Sequence, residues 1–136
     1  MVFVTRREVF SASHRLHNEN LSDLENEQLF DKCNNYHGHG HNYILEVVVA
    51  GEVDEKSGYV IDLKKLKDII RENVTDKLDH KHLNLDVDFM KGIIPTAENI
   101  AIQIWNQLKD KIPSGELHSV KLYETENNYV EYKGEG

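Results

Sequence analysis

Three histidines occupy alternate positions in His37-Gly38-His39-Gly40-His41, at the head of a β-branched run. On a strand, residues two apart point to the same side, so two of these imidazoles can face one ion. The pair is 39/41 or 37/39, since all three share parity; His41 stands nearest the run that strand pairing would hold rigid. His14 follows an earlier apolar segment and falls opposite His39 and His41 if the two segments pair as a hairpin. His17, deeper in a polar loop, competes with it. Three imidazoles and an open fourth position form the ligand set of a catalytic zinc ion; a solvated loop with an isolated histidine is the alternative.

Other residues could act beside such a centre. Cys33 lies among Asp31, Lys32, Asn34 and Asn35, a poor setting for a core thiol. Lys32 and a nearby metal would both favour its thiolate, whereas single cysteines are commonly buried and inert. Asp79-His80 couples a carboxylate to an imidazole that it can orient for acid–base work; a histidine at a helix C-terminus needs no such role. Glu124 is in phase with Val120 and Leu122, which puts its carboxylate on an apolar-patterned face. There it needs partners, such as the N–H fork of a guanidine-like heterocycle edge, or reaches water at the strand end.

The elements that must position these groups follow from periodicity. Val2–Phe10 and His41–Val53 have strand composition, with His41, Tyr43, Leu45, Val47 and Val49 on one face of the second. Between them a loop carries the capping-box pattern Ser22-Asp23-Leu24-Glu25, with helical turns toward Phe30. Asp62 is the expected N-cap of a helix whose stripe is Leu63, Leu66, Ile69, Ile70, Val74 and Leu78. Thr96 caps a second helix with stripe Ala97, Ile100, Ala101, Ile104, Trp105 and Leu108, ended by Pro113-Ser114-Gly115. Strands at about 118–125 and 129–133 close the chain through a tight hairpin, where Asn tolerates φ > 0.

The order ββααββ predicts an α+β fold: a four-stranded antiparallel sheet with both helices on one face. Such a sheet leaves two open edges, and neither the first nor the last strand carries proline or dense lysine to blunt them. Oligomerisation through these edges is the simplest expectation.

Composition narrows the function classes. The 136 residues, 39% hydrophobic and 29% charged, read as one soluble domain over residues 1–136. A net charge of −8 argues against a nucleic-acid partner. No stretch approaches the roughly 18 apolar residues of a membrane span, and the first apolar run is too short for a signal peptide. A single cysteine suits a reducing, cytoplasmic setting.

Six segments occur in order: Phe10–Leu16 (FSASHRL), Cys33–Asn35 (CNN), Gly38–Tyr43 (GHGHNY), Leu78–Leu83 (LDHKHL), Thr96–Asn99 (TAEN) and Tyr123–Asn128 (YETENN). Together they resemble the 6-pyruvoyl-tetrahydropterin synthase family of the tunnelling-fold superfamily, over nearly the whole chain. The resemblance implies that His14, His39 and His41 are the zinc ligands and Cys33 the catalytic base. It further implies that Asp79 and His80 form an acid–base pair lent by a neighbouring subunit, and that Glu124 anchors the pterin ring. It implies trimers that close their sheets into a twelve-stranded barrel and stack in pairs as a homohexamer.

The implied substrate is 7,8-dihydroneopterin triphosphate, and the products are 6-pyruvoyl-tetrahydropterin and triphosphate. Arg15, next to His14, is a candidate phosphate contact on an otherwise acidic chain. His37 departs from the family pattern. It also lies four residues after Cys33, the spacing expected of the related 6-carboxy-tetrahydropterin synthase, whereas Cys33 to His39 is six. A metal-binding module without catalysis is a further alternative; it would require none of Cys33, Asp79, His80 and Glu124.

Overall fold

The first strand continues past Phe10. In the computed structural model, which describes residues 1–135, β1 spans Val2–His14 and pairs antiparallel with β2, His39–Gly51, from Val2↔Gly51 to His14↔His39. Ser11, Ala12 and Ser13 have weak strand propensity, but the ladder to β2 satisfies their backbone and overrides it. Between the strands lie α1, Asp23–Phe30, and a 3-10 turn, Asp31–Asn34. The Ser22 capping box closes in both directions, at 3.1 Å to the Glu25 N–H and 3.0 Å back from the Ser22 N–H.

The helix predicted from Asp62 to Leu78 is interrupted. α2, Leu63–Ile70, runs through a π-helical turn at Arg71–Thr75 into α3, Asp76–Leu78. Leu66, Ile70, Val74 and Leu78 are buried as the stripe requires, whereas Leu63 is exposed. A two-residue strand, β3, Lys81–His82, follows, then a 3-10 turn at Asp88–Met90 and α4, Ala97–Leu108, capped by Thr96. β4, Glu116–Thr125, and β5, Asn128–Tyr132, form the last hairpin.

The fold is α+β, but the sheet has five strands rather than four, in the order β3-β1-β2-β4-β5, and β3 runs parallel to β1. Two residues are too few to show a periodic pattern. β3 is held instead by the backbone, through His80 N–H to Ser11 O at 2.6 Å and Leu83 N–H to Ser13 O at 2.8 Å. One sheet face, with Phe10, Ala12, Tyr43, Leu45, Val47, Val49, Val120 and Leu122, packs on the helix residues Leu66, Ile70, Val74, Ile100, Ile104 and Leu108 as the core.

The last turn also departs from expectation. Glu126 and Asn127 are its two turn residues, and neither has positive φ. A ladder irregularity between Tyr123 and Thr125 takes up the twist, leaving Glu124 unpaired with β5. Among the described residues no helix is long and apolar enough to cross a membrane.

Candidate metal centre and active site

His14 ends β1, and His39 begins β2 directly opposite it. His41 is two residues further along β2, on the same face. The three imidazoles stand nearly perpendicular to one another, and their ligand nitrogens all lie within 4.8 Å of one another. His14 Nε2 and His39 Nε2 are 3.2 Å apart. Two nitrogens bound tetrahedrally to one zinc at 2.0–2.1 Å would be separated by about 3.3 Å. His41 Nε2 is buried and has no hydrogen-bond partner among the described residues. An orphaned nitrogen beside two converging ones fits a metal ion better than any hydrogen-bonded arrangement of the three rings.

The electrostatics agree with this reading. His14 is fully buried, and its Nδ1–H donates to the Pro95 carbonyl at 2.7 Å. A carbonyl cannot donate, so Nδ1 carries the proton and the neutral ring presents a bare Nε2 to its neighbours. Burial holds the His14 pKa below the ordinary imidazole value, against the opposing pull of the Pro95 hydrogen bond. Burial likewise lowers His41, opposed by the negative charge of Glu124. Neutral imidazole is the form that binds metal.

Neither competing histidine belongs to the cluster. His37 is exposed and packs its ring edge-on to Tyr36, with centroids 5.1 Å apart. His17 Nδ1 pairs with Asn34 Oδ1 at 3.1 Å.

Cys33 is a half-buried free thiol on the 3-10 turn after α1. Leu16 N–H donates to its carbonyl at 2.8 Å, which fastens the turn just beyond His14. Cys33 and His39, with Lys32 and Asn35, line a cleft of about 450 Å³. A free thiol and a candidate metal ligand thus share one cavity.

Glu124 reaches the cluster from β4. Its Oε1 lies 3.6 Å from His41 Nε2, and it is the residue that the bulge releases from pairing. Bulges re-aim side chains next to active sites. The buried Tyr43 hydroxyl is 3.3 Å from His14 Nδ1, and burial raises its pKa.

Asp79 and His80 follow α3 at the sheet edge. Asp79 Oδ1 accepts from Ser11 N–H at 2.8 Å, and its Oδ2 lies 3.0 Å from His80 Nδ1. His80 has φ 61, the left-handed region usually left to glycine after a helix, and its side chain is 83% exposed. A strained, exposed imidazole tied to a carboxylate is suited to proton transfer. Its hydrogen-bonding partners do not include the histidine triad.

Arg15, the candidate phosphate contact, is held by its own loop. Its Nε–H donates to Asn34 O at 3.0 Å and its guanidinium lies over the Tyr36 ring. Asp23 and Glu27 line the same cleft and would repel a polyanion. Sequence reasoning missed Pro95, whose contribution is a backbone carbonyl and so leaves no residue-type signal. Tyr43 was legible only as a core-face residue.

The family model described as 6-pyruvoyl tetrahydropterin synthase matches residues 3–135. The chain is 51% identical over 132 residues to the 6-pyruvoyl tetrahydrobiopterin synthase of Homo sapiens, covering 97% of this chain and 91% of that protein. It is also 51% identical over 134 residues to that of Dictyostelium discoideum, covering 98% and 97%. The solved structure of Caenorhabditis elegans 6-pyruvoyl tetrahydropterin synthase matches with a TM-score of 0.94 at 47% identity, covering 98% of this chain and 96% of that one.

Proposed function

Since the chain belongs to the 6-pyruvoyl tetrahydropterin synthase family, we propose that it converts 7,8-dihydroneopterin triphosphate to 6-pyruvoyl-tetrahydropterin with release of triphosphate. This is a carbon–oxygen lyase step in tetrahydrobiopterin biosynthesis. The observation that carries the reading is the convergence of His14, His39 and His41 beside Cys33 and Glu124.

His14, His39 and His41 hold zinc in this reading. Bound there, zinc supplies Lewis acidity that polarises the substrate's side-chain oxygens and weakens the adjacent C–H bonds. Cys33, as thiolate, accepts a side-chain proton. His80, held by Asp79, returns a proton and assists departure of triphosphate. Glu124 accepts hydrogen bonds from the amino group and ring N–H of the pterin. The ring is reduced as the side chain is oxidised, so no external redox partner takes part.

The chain acts as one catalytic unit over residues 1–136, in the cytoplasm, within a homohexamer of two stacked trimers whose sheets close into barrels. Two features support assembly. Outside Ala12 and Ser13, β1 has no strand partner on its outer edge among the described residues. His80 is exposed and tied to Asp79 rather than to the triad, as a group serving a neighbouring site would be.

The related 6-carboxy reaction consumes the same substrate. The exposed position of His37, outside the triad, weighs against reading the four-residue spacing from Cys33 as a sign of it. Turnover with and without zinc, with mass spectrometry of the pterin product, tests the proposal. A 6-pyruvoyl product lost on chelation is expected; a 6-carboxy product or zinc-independent turnover would overturn it.

A further inference from the structure

The Thr96–Asn99 segment begins α4, and a helix cap explains only Thr96: its Oγ1 accepts from Asn99 N–H at 3.2 Å. The Asn99 side chain turns the other way. Its Nδ2 donates to the Ile94 carbonyl at 2.9 Å, in the loop before the helix. That same carbonyl accepts from Thr96 N–H at 2.8 Å, closing a three-residue turn centred on Pro95.

The geometry of this turn bears on the metal centre. The Pro95 carbonyl and the Thr96 N–H belong to one planar peptide unit and point in opposite directions. Its N–H is fastened to Ile94 O, so its carbonyl is aimed away from that atom, and there it meets His14 Nδ1 at 2.7 Å. Pro95 is buried, and its ring fixes φ. With φ fixed, the hydrogen bond at Ile94 O holds the orientation of the unit, and the Asn99 side chain donates to that same oxygen.

We infer that Asn99 is a positioning residue for the metal centre: by anchoring the Ile94–Pro95–Thr96 turn, it aims the Pro95 carbonyl at His14 Nδ1 and so commits His14 Nε2 to the ion. The inference rests on the reading of His14, His39 and His41 as metal ligands. It predicts a tautomer as well as an affinity. A carbonyl held at Nδ1 keeps the proton there; a carbonyl free to turn away lets it move to Nε2, the atom the metal needs bare.

The test compares Asn99→Asp, Asn99→Ala and Thr96→Ala in the full chain. Asn99→Asp preserves shape and adds negative charge in the first turn, which favours the helix, but it cannot donate to Ile94 O. In metal-free protein at about pH 8, where imidazoles are neutral, two-bond proton–nitrogen spectra of the histidine rings should show His14 as the Nδ1–H tautomer in the unmodified chain. Both Asn99 variants should show a mixture. Their zinc affinity, by chelator competition, should fall about tenfold, the low end of the effect of residues behind a ligand. Their cobalt(II) spectra should shift. Thr96→Ala should lower the thermal midpoint and leave the tautomer and zinc affinity unchanged. The inference is overturned if His14 stays wholly Nδ1–H in Asn99→Asp with zinc affinity unchanged, or if Thr96→Ala disturbs the tautomer as much as the Asn99 variants do. An unmodified chain that takes up no zinc would sink the site reading, while the tautomer comparison would still judge Asn99.

Discussion

His14 and His39 are cross-strand partners, 25 residues apart in the chain, whose Nε2 atoms stand 3.2 Å apart. Antiparallel pairing brings opposed Cβ atoms to roughly 5 Å, and the two rings converge from there. His41 joins them by the period-two rule alone. His14→Ala, His39→Ala and His41→Ala should each lose most bound zinc, measured as metal per chain, and His37→Ala should keep it. His14→Ala should also be less stable by about 1–3 kcal/mol without metal, because the Pro95 carbonyl loses its donor in a buried setting. Zinc lost from His37→Ala but kept by His41→Ala would mean that the pair is 37/39.

Gly38 lies beside this strand pair with φ +76, and an added Cβ would come within 2.7 Å of the His14 carbonyl oxygen. Gly58 has almost the same backbone, φ +79, with nothing within 4 Å of the added atom. Ala at either position suffers the left-handed penalty of roughly 1–2 kcal/mol. Only Gly38→Ala must also push β1 away from the head of β2. Urea unfolding should show Gly38→Ala as the less stable variant, and zinc competition should show weakened binding in it alone. Equal effects would mean that the close approach at His14 carries no energy.

Asp79 links the end of α3 to the edge of β1. The Ser11 N–H hydrogen bond holds its carboxyl below the usual carboxylate range, against a smaller opposing effect of burial and with help from His80. A depressed native pKa means that the stabilisation is complete above the unfolded value of about 3.9 and is lost as pH falls through the native one. Asp79→Asn should therefore unfold at lower urea than the unmodified chain at neutral pH, and the gap should close as pH drops below about 4. Solvent reaches 42% of the side chain, which keeps the effect small. A gap independent of pH would show that the charge of Asp79 has no part in it.

Much of this site was legible because strand parity is a local rule. It placed His39, His41, Tyr43, Leu45, Val47 and Val49 on one face before any pairing was known. The capping residues Ser22, Asp62 and Thr96 were equally local, and each receives its backbone N–H. What escaped depends on partners distant in sequence. β3 is two residues long and exists because Ser11 O and Ser13 O accept its neighbours' N–H groups. The stripe named Val74 and Leu78 as core residues, and they are buried, but the π turn at Arg71–Thr75 is a change of backbone hydrogen-bond register that side-chain spacing did not announce. The Glu124 bulge and the Pro95 carbonyl belong to the same class.

Glu124 is where phase and geometry meet most closely. It continues the inward parity of Val120 and Leu122, and the bulge leaves it free of β5, with Oε1 3.6 Å from His41 Nε2. As the pterin anchor it would accept two charge-assisted hydrogen bonds, roughly 1.5–3 kcal/mol each. Glu124→Gln is nearly isosteric, but its amide presents a donor where the ring also presents one. Pterin binding, measured by calorimetry, should weaken by about one to three powers of ten. An analogue lacking the 2-amino group should bind the unmodified chain poorly and discriminate little between the two proteins. Bound zinc should be unchanged, because in the proposed site the three imidazoles would complete the protein's ligand set. Normal pterin binding with loss of zinc would assign the carboxylate to the metal instead, an arrangement the 3.6 Å approach to His41 allows.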